Sequence, residues 1–470
     1  MKNRYKQNSI RNAFFSKIGY VIWLFVFMVC IHSCKEFVEI DAPLTDVVRE
    51  EVFDSDELAK AAVSGIYGDM FNARSFSSSL TRENGLYSDE LMDLTGSSVF
   101  FANSLTPNND NVKDFWVQIY KYIHWSNSVI EGLNASSQVT LTLRNQLLGE
   151  AKFIRAFCYF YLVNLWSDVP IVTTTDYREN TSASRSSEVE IYQQIIEDLD
   201  QAQNLLAEDY SFSNGARGKP NKAAAAALLS RVYLYQEDWG NAEIQATNVL
   251  NDPQYNLVVD LNDVFLINSA EAIWQLHSTF SNGGINTFDA ESFIFSQSTD
   301  PVALTDELVN AFETGDQRQN NWLGTFTNGT QTFYHPLKYK IQAGGGTPAI
   351  TEALTFLRLG ELYLIRAEAR AQQNNISGAQ DDLNTIRNRA GLSNTQADDQ
   401  SSLLAAIANE RRVELFTESS HRWFDLKRTG MANSVLPLSK PGWQPTDQLF
   451  PIPGDELAIN PNLSPQNPGY

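Results

Sequence analysis

The chain has 470 residues, with 35 Lys and Arg against 56 Asp and Glu, for a formal net charge of −21. So acidic a surface repels nucleic-acid backbones and anionic lipid headgroups, which excludes a nucleic-acid partner. Three cysteines exclude a disulfide framework or a Cys-rich metal site, and the length allows one large domain or two to three ordinary ones.

Residues 1–33 read as a secretory signal. Five cations and no acid (Lys2, Arg4, Lys6, Arg11, Lys17) precede the apolar run Ile18–Ile31. That run is 14 residues long, short of the roughly 20 a membrane-spanning helix needs. It ends in Ser33-Cys34, and a cysteine after a small residue there resembles the bacterial lipobox. Cys34 is therefore the expected lipidation site, acylated (palmitate among its acyl chains) and first in the mature chain; an ordinary signal peptide is the competing reading. Loss of the five signal cations leaves 30 cations against 56 acids, or −26. Cys34-Lys35-Glu36 also resembles the start of a signal for the outer face of the outer membrane.

Residues 34–53 form the anchor and a polar tether, and Asp54-Ser55-Asp56 offers N-caps for a helix running to about Phe71. Apolar residues at three- and four-residue spacing predict further helices over Val112–Leu133, Leu143–Trp166 and Glu188–Leu206, and another after Gly218-Lys219-Pro220. Cys158, among aromatic neighbours in the second of these, is expected to be a buried hydrophobe.

Leu229, Ser230, Tyr233, Trp239, Ala242, Ala246 and Pro253 fall nearly where a tetratricopeptide repeat places small and large residues. A second copy reads at Leu359, Gly360, Tyr363, Ala379 and Leu383. The interval Gly360–Ala379 is seven residues longer than Ser230–Ala242, which predicts a longer connection in the second helix pair.

Between the copies, Ala272–Phe280 and Thr332–Ile341 alternate like half-buried strands, with turns at Gly283-Gly284, Asn328-Gly329 and Gly344-Gly345-Gly346. Helices resume at 353–373, 376–390 and 401–417, and a Pro-rich tail runs from Leu436 to Tyr470. The organisation is thus 54–254 helical, 255–350 an irregular insertion with some strand, and 351–470 helical with a tail.

Beyond the signal, His124, His277, His335 and His421 are scattered and in no metal spacing; no metal site or cofactor is expected. There is no nucleophile elbow, phosphate-binding loop or dinucleotide fingerprint, so no catalytic residue is expected and the chain reads as a binding protein rather than an enzyme. The charged run Glu410–Phe416 followed by His421–Arg428 reads as an ion-pair network clamping the last helices over buried Trp423 and Phe424, with i,i+4 neighbours of opposite charge; an anion site is the competing reading.

Several stretches resemble the SusD/RagB family of Bacteroidetes surface nutrient-binding lipoproteins. They are Cys34–Phe37, Glu150–Phe157 continuing to Leu165–Pro170, Leu357–Glu368, Asp382–Leu392, Glu410–Arg428, Leu449–Pro453 and Asn467–Tyr470. The resemblance implies a mainly α fold, a degenerate tetratricopeptide-repeat scaffold with an irregular loop and small-strand insertion. It implies capture of an oligosaccharide and its delivery to a SusC-like TonB-dependent transporter at the outer membrane, from a lipid anchor facing the outside. A peptide ligand, as in the RagB branch, or a transporter lid without ligand affinity are its alternatives. The family's aromatic arc corresponds to Tyr87–Asn103 and His277–Trp322, which makes Phe100, Phe101, Phe280 and Phe288 the expected stacking rings and Asp89 and Asn103 the expected hydroxyl partners. Trp322, after Gly315-Asp316-Gln317-Arg318, is expected to be structural.

Cys34→Ala should release the protein from the cell surface on fractionation and surface labelling; a variant that stays surface-bound would overturn the lipid anchor.

Overall fold

The computed structural model describes residues 52–278, 284–295, 302–342 and 349–470. The signal, Cys34, the tether to residue 51 and Phe280 lie outside the described residues. Phe53–Tyr470 forms one unit.

Ser55 caps α1 (Asp56–Asn72) by accepting the Leu58 N–H at 3.3 Å. A π-helical turn, Ser75–Ser79, leads into α2 (Leu80–Tyr87) and the strand β1 (Leu91–Asp93). Next come α3 (Asp110–Ala135), capped by Asn109, α4 (Leu141–Trp166), and α5 (Glu188–Leu205), which opens on a capping box of Ser187 and Glu190. The hairpin α6 (Lys222–Tyr235) and α7 (Trp239–Leu250) follows. Then come β2 (Ala272–Leu276), the short helix α8 (Phe288–Phe293), β3 (Val302–Leu304), the strands β4 (Leu323–Asn328) and β5 (Gln331–Pro336), and β6 (Leu354–Arg358). The last helices are α9 (Leu359–Gln372), α10 (Ile376–Arg389), α11 (Gln400–Glu414) and α12 (His421–Arg428).

The helices stack as a solenoid: α4 on α3 and α5, α5 on α6, α6 on α7, then α7 directly on α9, and α9 on α10 and α11. Helix α4 is its axis. Every residue from Phe153 to Trp166 is buried, as expected of a helix that is apolar on all sides. Trp274 of β2 meets Phe153 and Phe157 edge-on at 4.9 and 5.1 Å, and Phe424 of α12 meets Tyr161 at 5.7 Å. Cys158 is fully buried, and burial pushes its thiol well above the usual range. Among the described residues no helix is long and apolar enough to cross a membrane.

Three expectations change. The stretch from 353 begins as a strand, β6, which pairs antiparallel with β2; both strands are buried throughout, so neither alternates. The two hairpins have equal connections, Gln236–Asp238 and Gln373–Asn375. The register partner of Ser230 is therefore Ala367, twelve residues before Ala379, just as Ser230 is twelve before Ala242, with which it bonds (Oγ to carbonyl, 3.1 Å). Ala367 and Ala379 both lie in the second hairpin's core. The tail is no loose loop either. The Phe450 N–H donates to Leu165 O at 2.8 Å and the Asn467 side-chain amide to Trp166 O at 3.1 Å, which satisfies carbonyls at the end of α4.

Gly360 is small for another reason. A Cβ there would collide with the Arg358 guanidinium and lie 3.0 Å from Glu414 Oε1 and 3.1 Å from Glu271 Oε1. Gly360→Ala should cost about 1–3 kcal/mol in urea unfolding; an unchanged midpoint would show that the charge cluster can yield.

Candidate functional site

A buried charge network forms the base of the site. Arg358, at the end of β6, meets Glu414 at 2.6 Å, Glu271 at 3.0 Å and Glu418 at 2.7 Å. Arg318 meets Asp316 and Glu410 at 2.7 Å and Glu414 at 2.8 Å, while Arg389 meets Glu271 at 2.8 Å and also pairs with Glu414. Burial opposes the charge on Glu414, but Arg389, Arg358 and Arg318 together hold its carboxyl well below the usual range. The run Glu410–Arg428 is thus an ion-pair network, with Trp423 and Phe424 buried as expected. Glu410, Glu414 and Glu418 take their cations from other elements. Arg411 pairs instead with Asp425 at 2.7 Å, and Arg412 with Asp89 at 2.8 Å.

Above this base the loop after α2 is tied down at several points. Asp89 accepts two bonds from Arg422, at 2.7 and 2.8 Å, besides that from Arg412. The neighbouring Glu90 carboxylate accepts the Thr417 N–H at 3.2 Å. Lys440 donates to Leu86 O and Phe101 O, at 2.5 and 3.0 Å, with its ammonium 3.8 Å from the Phe101 ring centre. Asp93 closes a turn by accepting from Thr95 N at 2.9 Å and Ser98 N at 2.6 Å.

Beside the loop, β1 pairs antiparallel with β3, and β3 packs on β5. Helix α8 rests on the π-turn. Phe288 lies 5.4 Å from Phe71 and under the Arg74 guanidinium at 4.6 Å, and Ser78 and Ser292 hydroxyls share a bond of 2.5 Å. In the β4–β5 hairpin Phe326 stands directly opposite Phe333, the rings stacked at 5.1 Å and 15°. Phe295 stacks on Phe326 at 3.5 Å and 6°. All three rings are partly exposed. Phe295, Phe326 and Phe333 form a parallel column of π faces.

The sequence-derived candidates fall elsewhere. Phe100 is a core ring, 2% exposed and edge-on to Tyr87, Phe115 and Phe450, so neither face is free to stack on a ligand. Asp89 is spent on two arginines. Asn103, at φ 49°, is buried and donates to Tyr87 O at 3.0 Å, shaping the loop from within. Phe288 is buried against Phe71. Phe101 keeps partial exposure. Trp322 is fully buried and its indole N–H donates to Leu261 O at 3.0 Å, a structural role. The stacked rings left a signal in the sequence: alternation on both sides of Asn328-Gly329 sets Phe326 and Phe333 on one face of a hairpin.

Known proteins share this fold. A family described as "Starch-binding associating with outer membrane" matches residues 42–234, and the "SusD family" matches residues 313–470. SusD-like protein P2 of Formosa agariphila is 27% identical, the match covering 96% of this chain and 99% of that one. SusD-like protein P25 of the same organism is 25% identical, covering 94% and 97%. A solved SusD superfamily protein from Bacteroides vulgatus shares the fold with a TM-score of 0.76 at 22% identity, covering 89% of this chain and 100% of that one. A laminarin-binding SusD-like protein does so with a TM-score of 0.75 at 24% identity, with coverage of 89% and 100%.

Burial pushes the Glu90 carboxyl up to about 7, and nearby Asp89 adds to the effect. The folded chain then holds this proton more tightly than the unfolded chain, whose carboxyl titrates near 4.5. Its contribution to stability falls as pH rises from about 4.5 to about 7 and stays low above that. Glu90→Gln should therefore raise the thermal midpoint at pH 8, by the equivalent of about 1–3 kcal/mol, and change it little at pH 4. An equal shift at both pH values would refute the buried-proton account.

Proposed function

The chain belongs to the SusD/RagB family, and from that premise we propose that it binds an oligosaccharide without catalysis on the aromatic face of β4–β5. The column Phe295–Phe326–Phe333 carries this reading. The outer faces of Phe295 and Phe333, at the ends of the column, offer flat apolar surfaces for the C–H faces of sugars at little cost in side-chain entropy, and Phe326 between them holds both rings in place. Phe101 is the contact proposed from the neighbouring loop. Phe100, Asp89, Asn103 and Phe288 act through that loop and α8 by fixing their shape, and Phe280 is proposed as a further ring. A structural relative described as laminarin-binding supports a glycan as ligand.

The protein hangs from the outer membrane by the lipid on Cys34, faces the outside, and passes its ligand to a SusC-like TonB-dependent transporter. The matched family's description as associating with the outer membrane supports this placement. On this reading residues 54–254 and 351–470 serve as scaffold, apart from the loop that carries Phe101, and 255–350 carry the other recognition elements.

Calorimetry against a glycan panel that includes laminarin fragments, with a peptide library beside it, tests the proposal. Phe326→Ala with Phe333→Ala should weaken glycan binding about tenfold or more, because it removes the Phe333 stack and the ring that supports Phe295, together worth about 1.4 kcal/mol or more. The thermal midpoint should hold. Binding of peptides but no glycan would make the ligand a peptide, and unchanged glycan affinity in the double variant would move the site off the hairpin.

A further inference from the structure

A groove of about 410 Å³ lies between α11 and α12, with the end of α9 and the short helix Ala432–Val435 completing its walls. None of its lining belongs to the aromatic face or to the loop that carries Phe101.

The arginines at this place outnumber the acids that pair with them. Asp425 lies between Arg411 and Arg428, at 2.7 Å from each, and Glu368 meets Arg428 at 2.6 Å. Asp89 alone serves both Arg412, at 2.8 Å, and Arg422, at 2.7 Å. Four guanidiniums thus meet three carboxylates within ion-pair distance. Glu90 also faces Arg422, and Lys440 offsets it by facing Asp89. Arg411 Nη1 and Arg412 Nε, both buried, have no acceptor, a mark of the same shortage.

Arg411, Arg422 and Arg428 line the groove. Arg428 is committed through all three of its nitrogens and Arg411 is 2% exposed, whereas Arg422 keeps 13% of its side chain accessible. Its Nε and Nη2 donate to Asp89, at 2.7 and 2.8 Å, while Nη1 bonds to none of the described residues. A guanidinium presents five N–H donors along two edges. Asp89 takes the Nε edge, and the end formed by Nη1 and Nη2 is left for a second carboxylate, which it can hold through two parallel bonds.

The walls decide which carboxylate fits. Leu404, Ala405 and Ala408 of α11 face the groove with Met431 and Val435, and Ala405, Ala408 and Met431 are exposed. Against these carbons a sugar would lose the hydration of its hydroxyls, whereas an alkyl chain gains by leaving water. Asp425 in the same groove disfavours a second negative charge. The volume falls within the range of small-molecule sites.

We infer that this groove is a binding site for a monocarboxylate with an apolar body, the carboxylate on the open end of Arg422 and the body against α11 and Met431. The site stands whether or not the aromatic face binds a glycan.

Titration calorimetry of the full chain with octanoate tests it, with acetate and octanol as comparators. Octanoate should bind, and acetate, which lacks the body, and octanol, which lacks the charge, at least tenfold more weakly. Ala408→Phe, which fills the groove from an exposed helix position, should weaken octanoate about tenfold with no change in thermal midpoint. Met431→Glu should weaken it about fivefold by adding an opposing charge. Arg422→Gln should abolish binding; since Arg422 also holds Asp89, the comparators and the two wall variants carry the decision. Absence of heat with octanoate at millimolar concentration would overturn the site. So would octanol or acetate binding as tightly as octanoate, or an octanoate affinity untouched by both Ala408→Phe and Met431→Glu.

Discussion

The contact on which the rest of the structure depends is that of Arg358 with Glu414. Both side chains are buried and stand at the junction of β6, α9 and α11. Each is held by more than one partner, which is what makes a buried charge tolerable: Glu414 meets three guanidiniums and Arg358 three carboxylates. Removing any one member would strand a charge without solvent, a loss of about 3–5 kcal/mol where such pairs have been broken. The same contacts say little about net stability, because well-packed apolar residues often do as well. They fix geometry instead. Arg318 comes from the segment before β4, Glu271 from the edge of β2 and Arg389 from α10, so the network sets how the inserted strands sit on the solenoid.

From that junction the constraint passes outward along the chain. Lys338 donates to Glu414 O and Phe416 O, both at 2.8 Å, and pairs with Glu418, so the segment that follows the hairpin is held at the end of α11. Thr417 then donates to Glu90, and Arg412 and Arg422 hold Asp89. The loop carrying Phe101 and the hairpin carrying Phe326 and Phe333 therefore rest on one charged base. A flat sugar surface needs rings held at fixed angles, and a rigid base does this without a deep pocket.

Much of the helical scaffold was legible because helices announce themselves locally. Ser55, Asn109 and Ser187 sit where caps are needed, and apolar spacing runs through α3, α4 and α5. The strand β6 was hidden because Leu354-Thr355-Phe356-Leu357 runs without a turn signal into α9, and a short apolar run does not distinguish a buried strand from a buried helix. Gly360 misled the repeat register for a related reason: a small residue was read as helix packing when its smallness serves Arg358. For the proposed site, the sequence points to the loop after α2 and the insertion but does not show which side chains there face inward. Phe100 and Phe101 are adjacent, yet one is core and the other at the surface. Asp89 looked free because the arginines that consume it lie 323 and 333 residues further along the chain.

Charge and recognition separate in this molecule. The arginines are largely folded inward, away from any anionic ligand: the side chains of Arg155, Arg231, Arg318, Arg358, Arg389 and Arg411 are buried against carboxylates. The exterior is left with an excess of acid, which disfavours any polyanion over long range. Against that field, the proposed stacking on phenylalanine faces would act on a neutral surface through contact alone, with no dependence on salt or on the net charge. An anion can be admitted only where a cation keeps donors unspent inside a partly enclosed cavity, shielded from the acidic exterior by the surrounding walls.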